Sequence, residues 1–249
     1  MNSSTIELLL KHRGAWLKSV KGNEVEAQQR ATLSRLIAND YMRFENLRDM
    51  IVNLALATTR EEQDVIYEHP QMAHLLSHME RTGLIREEQF GGVRVDTKAR
   101  RYLSGGWLEE LVWLAANEAG ADEAVFGQVV GWEVKGFTGE NEIDLLMRKD
   151  DRLAFISCKA LRSELDINDK KHRNRLMDAV HEADNLADHF GKQGEKVAVV
   201  VTTDLFDEFK NTPRYHALMG KAAVLDVSVI ALEELGWDKL VDAMRELLN

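Results

Sequence analysis

Apolar residues recur at helical spacing through most of the first hundred positions. Over residues 3–38, Leu8, Leu9, Trp16, Leu17, Val20, Leu33 and Ile37 predict helix, divided in two by Lys21-Gly22-Asn23. Met42 to Ala57 continues as helix, with Phe44, Leu47, Ile51, Leu54 and Ala55 in phase. Thr58 to Glu62 reads as a further helix start, with Thr59 as the cap and Glu62 three residues on. Beyond His69-Pro70, QMAHLLSHMERTG places Met72, Leu75, Leu76 and Met79 inward and ends at Gly83. Two short strands around Gly91-Gly92 and a helix from Asp96 to Tyr102 follow. Helix, two-stranded wing and helix outline a winged-helix module, on which Arg81, Arg86, Arg94, Lys98, Arg100 and Arg101 are placed to meet phosphate. The alternative is a linker or dimerisation module that touches no nucleic acid.

From Trp107 onward helical and strand-like patterns are mixed. WLEELVWLAANEAG carries one stripe of Leu108, Leu111, Val112, Ala115 and Ala119, with Glu109 at its edge and Glu110 on the far side. Val125 to Val134 is rich in β-formers. NEIDLLM and RLAFISCK read as two strands, and the charged RKDD between them as an unburied turn. Alternation puts Glu142, Asp144 and Leu146 on one face and Ile143, Leu145 and Met147 on the other. On the second strand Leu153, Phe155, Ser157 and Lys159 oppose Ala154, Ile156 and Cys158. The hairpin thereby brings two carboxylates and a lysine to one end of one face. That set suits a divalent metal and an activated water, and equally a surface hairpin with solvated charges.

The remainder reads as a basic loop from Arg162 to Arg175, a helix RLMDAVHEADNLADHFG, a doubly buried strand EKVAVVVTT, a helix, a strand VSVIA and a closing helix. An antiparallel meander leading into crossover units predicts a mixed three-layer α/β sandwich. Three segments emerge: helical 1–40, helical and winged-helix-like 41–105, and α/β from 106 to 249.

Composition changes this picture in two places. A single cysteine, Cys158, excludes an intrachain disulfide and a zinc site built from cysteines. With no basic region ahead of the first short apolar run, and no run near the ~20 residues that span a bilayer, the expected location is the cytoplasm. The formal charge of −10 weighs against a nucleic-acid partner until its distribution is considered. Residues 1–105 hold 15 Lys+Arg against 14 Asp+Glu, and the remainder 17 against 28. An acidic half can still approach a polyanion if metal ions neutralise its carboxylates.

GGWLEELV, NEIDLL, FISCK and the helix ending HFG before a valine-rich strand resemble the PD-(D/E)xK nuclease fold, a restriction-endonuclease-like mixed sheet flanked by helices. More narrowly, they look like the nuclease domain of the CRISPR ancillary nucleases activated by cyclic oligoadenylate. That family places a nucleotide-sensing CARF domain first, a winged-helix-like segment next and the nuclease last. The resemblance covers about residues 70–249, and no stretch before residue 40 looks like the sensor, which is expected to be missing or on a separate chain.

The resemblance implies an endonuclease, a DNA or RNA substrate, Mg²⁺ or Mn²⁺, a homodimer and a role in antiviral defence. It makes Asp144 the metal-binding aspartate, Lys159 the motif lysine, and Glu109 or Glu110 the acid of the first helix. Ser157 stands where the motif has its second acid, and Glu142, one two-residue step of about 7 Å along the strand from Asp144, is the substitute. Lys170, Lys171, Arg173 and Arg175 are candidates for guiding a nucleic-acid strand past the site, and a solvated loop is their plainer reading. The rival to the whole scheme is a non-catalytic winged-helix nucleic-acid-binding or regulatory protein with a degenerate nuclease-like domain.

Overall fold

The computed structural model describes residues 5–20, 22–54, 70–87 and 93–249. The helix start read at Thr58–Glu62 and the turn at Gly91-Gly92 lie outside the described residues.

The first departure from expectation comes early. Helix α1 (Ile6–Lys11), capped by the Thr5 hydroxyl accepting from the Leu8 N–H, ends within two turns. A left-handed Gly14 (φ +73°) then turns the chain into strand β1 (Ala15–Val20), where helix was expected. Trp16, Leu17 and Val20 fit helical and extended spacing alike, so local pattern does not choose between them. Pairing chooses: β1 runs antiparallel to β4 (Glu123–Val134), Ala15 opposite Trp132 and Val20 opposite Gln128. The Trp16 ring lies over Gly131, where an added Cβ would come within 2.7 Å of the indole.

Helix α2 (Glu24–Asn39) starts at Asn23, whose side-chain oxygen accepts from the Glu26 N–H. Helix α3 (Tyr41–Leu54) and helix α4 (Pro70–Arg81) follow, the latter with Pro70 at its first position, where a missing N–H costs nothing. Leu75, Leu76 and Met79 are buried as expected, and Gly83 is left-handed at φ +72°. Strands β2 (Ile85–Glu87) and β3 (Val93–Val95) form a short antiparallel pair. Asp96 caps α5 (Thr97–Arg101), and a π turn over Tyr102–Gly106 leads into α6 (Trp107–Glu118).

The main sheet then assembles from β4, β5 (Phe137–Lys149), β6 (Arg152–Lys159), helix α7 (Lys170–Phe190), β7 (Lys196–Val201), helix α8 (His216–Val224) and β10 (Val227–Ile230). A two-residue pair, β8 (Phe206–Asp207) with β9 (Thr212–Pro213), lies between β7 and α8. Strand order is β1-β4-β5-β6-β7-β10, antiparallel up to β6 and parallel from β6 to β10. The expected closing helix is two pieces, a 3-10 turn at Leu232–Glu234 and helix α9 (Trp237–Leu248), parted by Gly236.

Two apolar cores cover the two faces. Residues of α2, α3, α6 and α9 pack on Ala124, Phe126, Leu145, Met147, Ala154, Ile156, Ala198 and Val200. Residues of α1, α7 and α8 pack on Leu146, Leu153, Phe155, Val197, Val199 and Val201. The fold is thus the mixed α/β sandwich expected from the pattern. Among the described residues no helix is long and apolar enough to cross a membrane.

Two charged segments differ from expectation. Arg148 is not part of a solvated turn but is buried, its guanidinium reaching Asp122 at 3.3 Å, Glu123 at 3.5 Å and the Asp150 carbonyl at 2.6 Å. The turn proper is Asp150-Asp151, with Asp150 left-handed at φ +52°. The basic loop also ends sooner than expected. Asp169 accepts from the N–H groups of Lys171 and His172, which starts α7 at Lys170 and puts the cationic cluster on helix.

Candidate active site

Strands β5 and β6 pair only from Lys149–Arg152 to Leu145–Ile156. Beyond that point β6 continues beside β7, while β5 continues beside β4. Asp144 stands where the two strands part. Its Oδ2 accepts the Cys158 N–H at 2.7 Å, a donor that faces the gap between the strands, and the Ser157 Oγ–H at 3.2 Å.

Side-chain alternation breaks at the same place. Phe126 and Leu145 pack toward α6, whereas Val130 and Ile143, in phase with them by simple alternation, pack toward α1 and α7. The expectation that Ile143, Leu145 and Met147 share a face therefore fails at residue 144. On β6 the alternation holds, with Phe155 and Ala154 in opposite cores. The cause lies across the ladder: Gly127, between the Phe126–Leu145 and Gln128–Ile143 pairs, has φ +58° and so resets the strand. Its missing Cβ would come within 2.9 Å of the Gly22 nitrogen. Gly127→Ala is expected to lower stability by roughly 1–3 kcal/mol, read as an earlier urea midpoint, because both φ and space oppose it.

Glu142, Asp144, Ser157 and Lys159 line a cleft of about 340 Å³ whose opposite wall is Glu182 and Asn185 of α7. The Lys159 ammonium lies 2.7 Å from Glu182 Oε2. Burial works to lower the Lys159 pKa, but the Glu182 hydrogen bond and the Asp144 charge outweigh it and hold the charged form above the ordinary range. Burial raises the Asp144 pKa, offset only in part by the Cys158 N–H, the Lys159 charge and the Ser157 hydroxyl.

Glu109 on α6 feels this cluster from a neighbouring cleft that also holds Arg101 and Lys98. Its pKa is pushed up to about 7, first by burial and then by the Asp144 charge, with Arg101 at 3.6 Å working against both. Glu110 lines the same cleft as Glu109 but is already engaged. The far side of α6, where the sequence placed it, is covered by α2, and Arg30 grips the carboxylate through two nitrogens at 2.6 and 3.1 Å. That carboxylate is spent on joining two helices.

Lys170, Lys171 and Arg175 are exposed and Arg173 half-buried on the first turns of α7. The Arg94 side chain lies outside the described residues. Glu182 was passed over in the sequence because it flanks the inward stripe of Ala179, Val180, Ala183 and Leu186 instead of belonging to it. Its position one turn before Leu186 was the available signal.

Residues 96–204 match the Card1-like endonuclease domain. That segment runs from the cap of α5 past the end of β7 and contains Glu109, Asp144, Lys159 and Glu182. The resemblance read from the sequence is borne out over it. Among solved structures the chain is similar to protein VC1899 of Vibrio cholerae, at 20% identity and TM-score 0.70 over 99% of this chain and 62% of that one. It is also similar to Can2 of Sulfobacillus thermosulfidooxidans in complex with cyclic tetra-adenylate, at 16% identity and TM-score 0.58 over 97% of this chain and 61% of that one. These likenesses concern the fold, and the chain spans about six-tenths of the length of each. No curated protein matches the sequence.

Carboxylates are the donors that a hard divalent cation takes, and Glu142 and Asp144 share one cleft with Glu109 in the next. The Asp144 and Glu142 charges raise the proton affinity of Glu109, and the Glu142 charge raises that of Asp144, a repulsion that a cation would relieve. Among the described residues no three His, Cys, Asp or Glu side chains are gathered closely enough to hold an ion unaided. Water and substrate phosphate would have to complete the shell of any ion held there, as is common for Mg²⁺.

Proposed function

We propose that this chain is a metal-dependent endonuclease that hydrolyses phosphodiester bonds in DNA, RNA or both, in CRISPR-associated defence. The observation that carries the reading is Asp144 at the strand fork, with Lys159 on the adjoining strand and Glu109 within reach of its charge. The match to an endonuclease domain supports it.

In this reading Asp144 and Glu109 would hold Mg²⁺ or Mn²⁺, with Glu142, exposed in the same cleft as Asp144, as a further ligand. The ion, when bound, supplies Lewis acidity toward the phosphate and an acidified water. The protein's own contribution is placement. The Cys158 N–H and the Ser157 hydroxyl fix one oxygen of Asp144, and the other is the one that would meet an ion. The Lys159 ammonium steadies charge that develops on the scissile phosphate. Lys170, Lys171, Arg173 and Arg175 guide the strand along the start of α7.

Ser157 favours the second reading, a winged-helix binding or regulatory protein with a silent nuclease-like domain, because a hydroxyl is a poor ligand for a hard cation. The cyclic tetra-adenylate in the Can2 complex supports control by a sensor domain or chain, and the resemblance supports a homodimer. With labelled DNA and RNA oligonucleotides, cleavage in Mg²⁺ or Mn²⁺ is expected to fall by about 100-fold or more in EDTA. Assays with and without added cyclic oligoadenylate and sensor chain cover the regulated case. Binding without cleavage in every arm supports the second reading.

A further inference from the structure

Lys159 has two acidic neighbours and one charge. Asp144 lies across the strand fork and pulls on it through space, while Glu182 meets it directly at 2.7 Å. Which partner the ammonium takes determines what the site can do. A lysine seated on Asp144 would neutralise the carboxylate that the proposed chemistry needs for its cation. Drawn toward α7, the same lysine leaves one Asp144 oxygen open and keeps its own charge at the cleft.

We infer that Glu182 is a positioning residue for Lys159, holding the ammonium on the α7 side of the cleft so that Asp144 is free to take a divalent ion. This rests on the nuclease reading above and deepens it.

Three further observations support the assignment. Glu182, itself exposed, is carried on a packed helix and not on a loop, since Ala179, Val180, Ala183 and Leu186 around it are buried against the sheet. Of the α7 side chains on the cleft wall, Glu182 is the charged one, next to Asn185 and Leu186. Ser157 and the Cys158 N–H already occupy Asp144 Oδ2, so one division of labour runs through the cleft: strand β6 orients the aspartate, and helix α7 orients the lysine. On this inference the acid that the motif lacks at position 157 is not replaced by a ligand at Glu182. The helix acid instead occupies the lysine, which would otherwise compete with the ion for Asp144.

The test uses the full chain and four variants, Glu182→Gln, Glu182→Asp, Lys159→Met and the double Glu182→Gln/Lys159→Met. Mn²⁺ binding is measured by calorimetry, and kcat and KM with a labelled oligonucleotide. Glu182→Gln is expected to weaken Mn²⁺ binding about tenfold and lower kcat about tenfold, with KM within about twofold and the melting temperature unchanged. Glu182→Asp should recover most of the loss.

The double variant is the decisive arm. With no ammonium left to swing onto Asp144, it should bind Mn²⁺ as tightly as the parent while remaining slow. Unchanged Mn²⁺ binding and kcat in Glu182→Gln would overturn the inference. So would a double variant as weak for Mn²⁺ as the single one, which would make Glu182 a ligand of the ion. If Asp144→Asn cleaves like the parent, the nuclease reading falls and takes this inference with it. If Asp144→Asn is dead and Glu182→Gln is normal, only the role of Glu182 falls.

Discussion

Asp144→Asn is expected to cut cleavage by a factor on the order of 10³ or more while leaving the fold intact. The substitution keeps the shape of the fork, because an amide oxygen still accepts from the Cys158 N–H and the Ser157 hydroxyl. What it removes is the charge that holds the ion. Burial already raises the Asp144 pKa, so discarding the charge relieves the native state instead of straining it, and the melting temperature should hold or rise slightly. Oligonucleotide cleavage with parallel circular-dichroism melts reads both quantities. Activity within tenfold of the parent would remove Asp144 from the chemistry.

Glu109→Gln is expected to lose activity and gain stability, and the gain should depend on pH. A carboxyl whose pKa rises from 4.5 to about 7 on folding binds a proton more readily folded than unfolded. Its penalty is therefore absent below pH 4.5, grows as pH rises, and is complete above about pH 7. A shift of that size corresponds to roughly 3 kcal/mol at pH 8. Glutamine carries no such penalty, so the variant should melt higher by about 5–10 °C at pH 8. The difference should vanish near the ordinary carboxyl pKa of 4.5. Mn²⁺ should raise the parent's melting temperature at pH 8 more than the variant's, because the ion satisfies the carboxylate that glutamine has removed. Cleavage should fall by about 100-fold. Equal melting curves at pH 8 would show that Glu109 is not crowded by its neighbours. The pattern is that of a site whose ligands are held together at a cost in stability.

Much of the second half was legible because its signals are local. A near-continuous apolar run gave β7, alternation gave β6, and a long 3.6-residue stripe gave α7. The meander followed by crossovers gave the fold class. The first strand was not legible, because six residues with mixed spacing become extended only when β4 is there to pair with them. Arg148 and Glu110 misled for a related reason: a charge reads as solvated until the partner that buries it, Asp122 or Arg30, is brought in from far along the chain.

Position 144 shows the limit of alternation itself. The rule assumes an undistorted ladder, and one left-handed glycine on the neighbouring strand was enough to re-aim the residues on either side. Residue identity marked Asp144 and Lys159 as candidates, since few arrangements need acids and a lysine at strand ends, and the acid of α6 came only from the family resemblance. Glu182 was invisible to that reasoning. Its relevance depends on how α7 lies against the sheet, which no spacing encodes.

The two edges of the sheet come from opposite ends of the sequence, β1 from residues 15–20 and β10 from residues 227–230. The segment recognisable as an endonuclease domain, 96–204, includes neither. An expression fragment cut to those limits would bare the backbone of β4 along one side and of β7 along the other, two unprotected rims of the kind that recruit foreign strands. It would also strip α9, α2 and α1 from the apolar faces they cover. The recognisable segment and the smallest autonomous unit are thus different objects, and boundaries for a minimal soluble protein belong outside both edge strands.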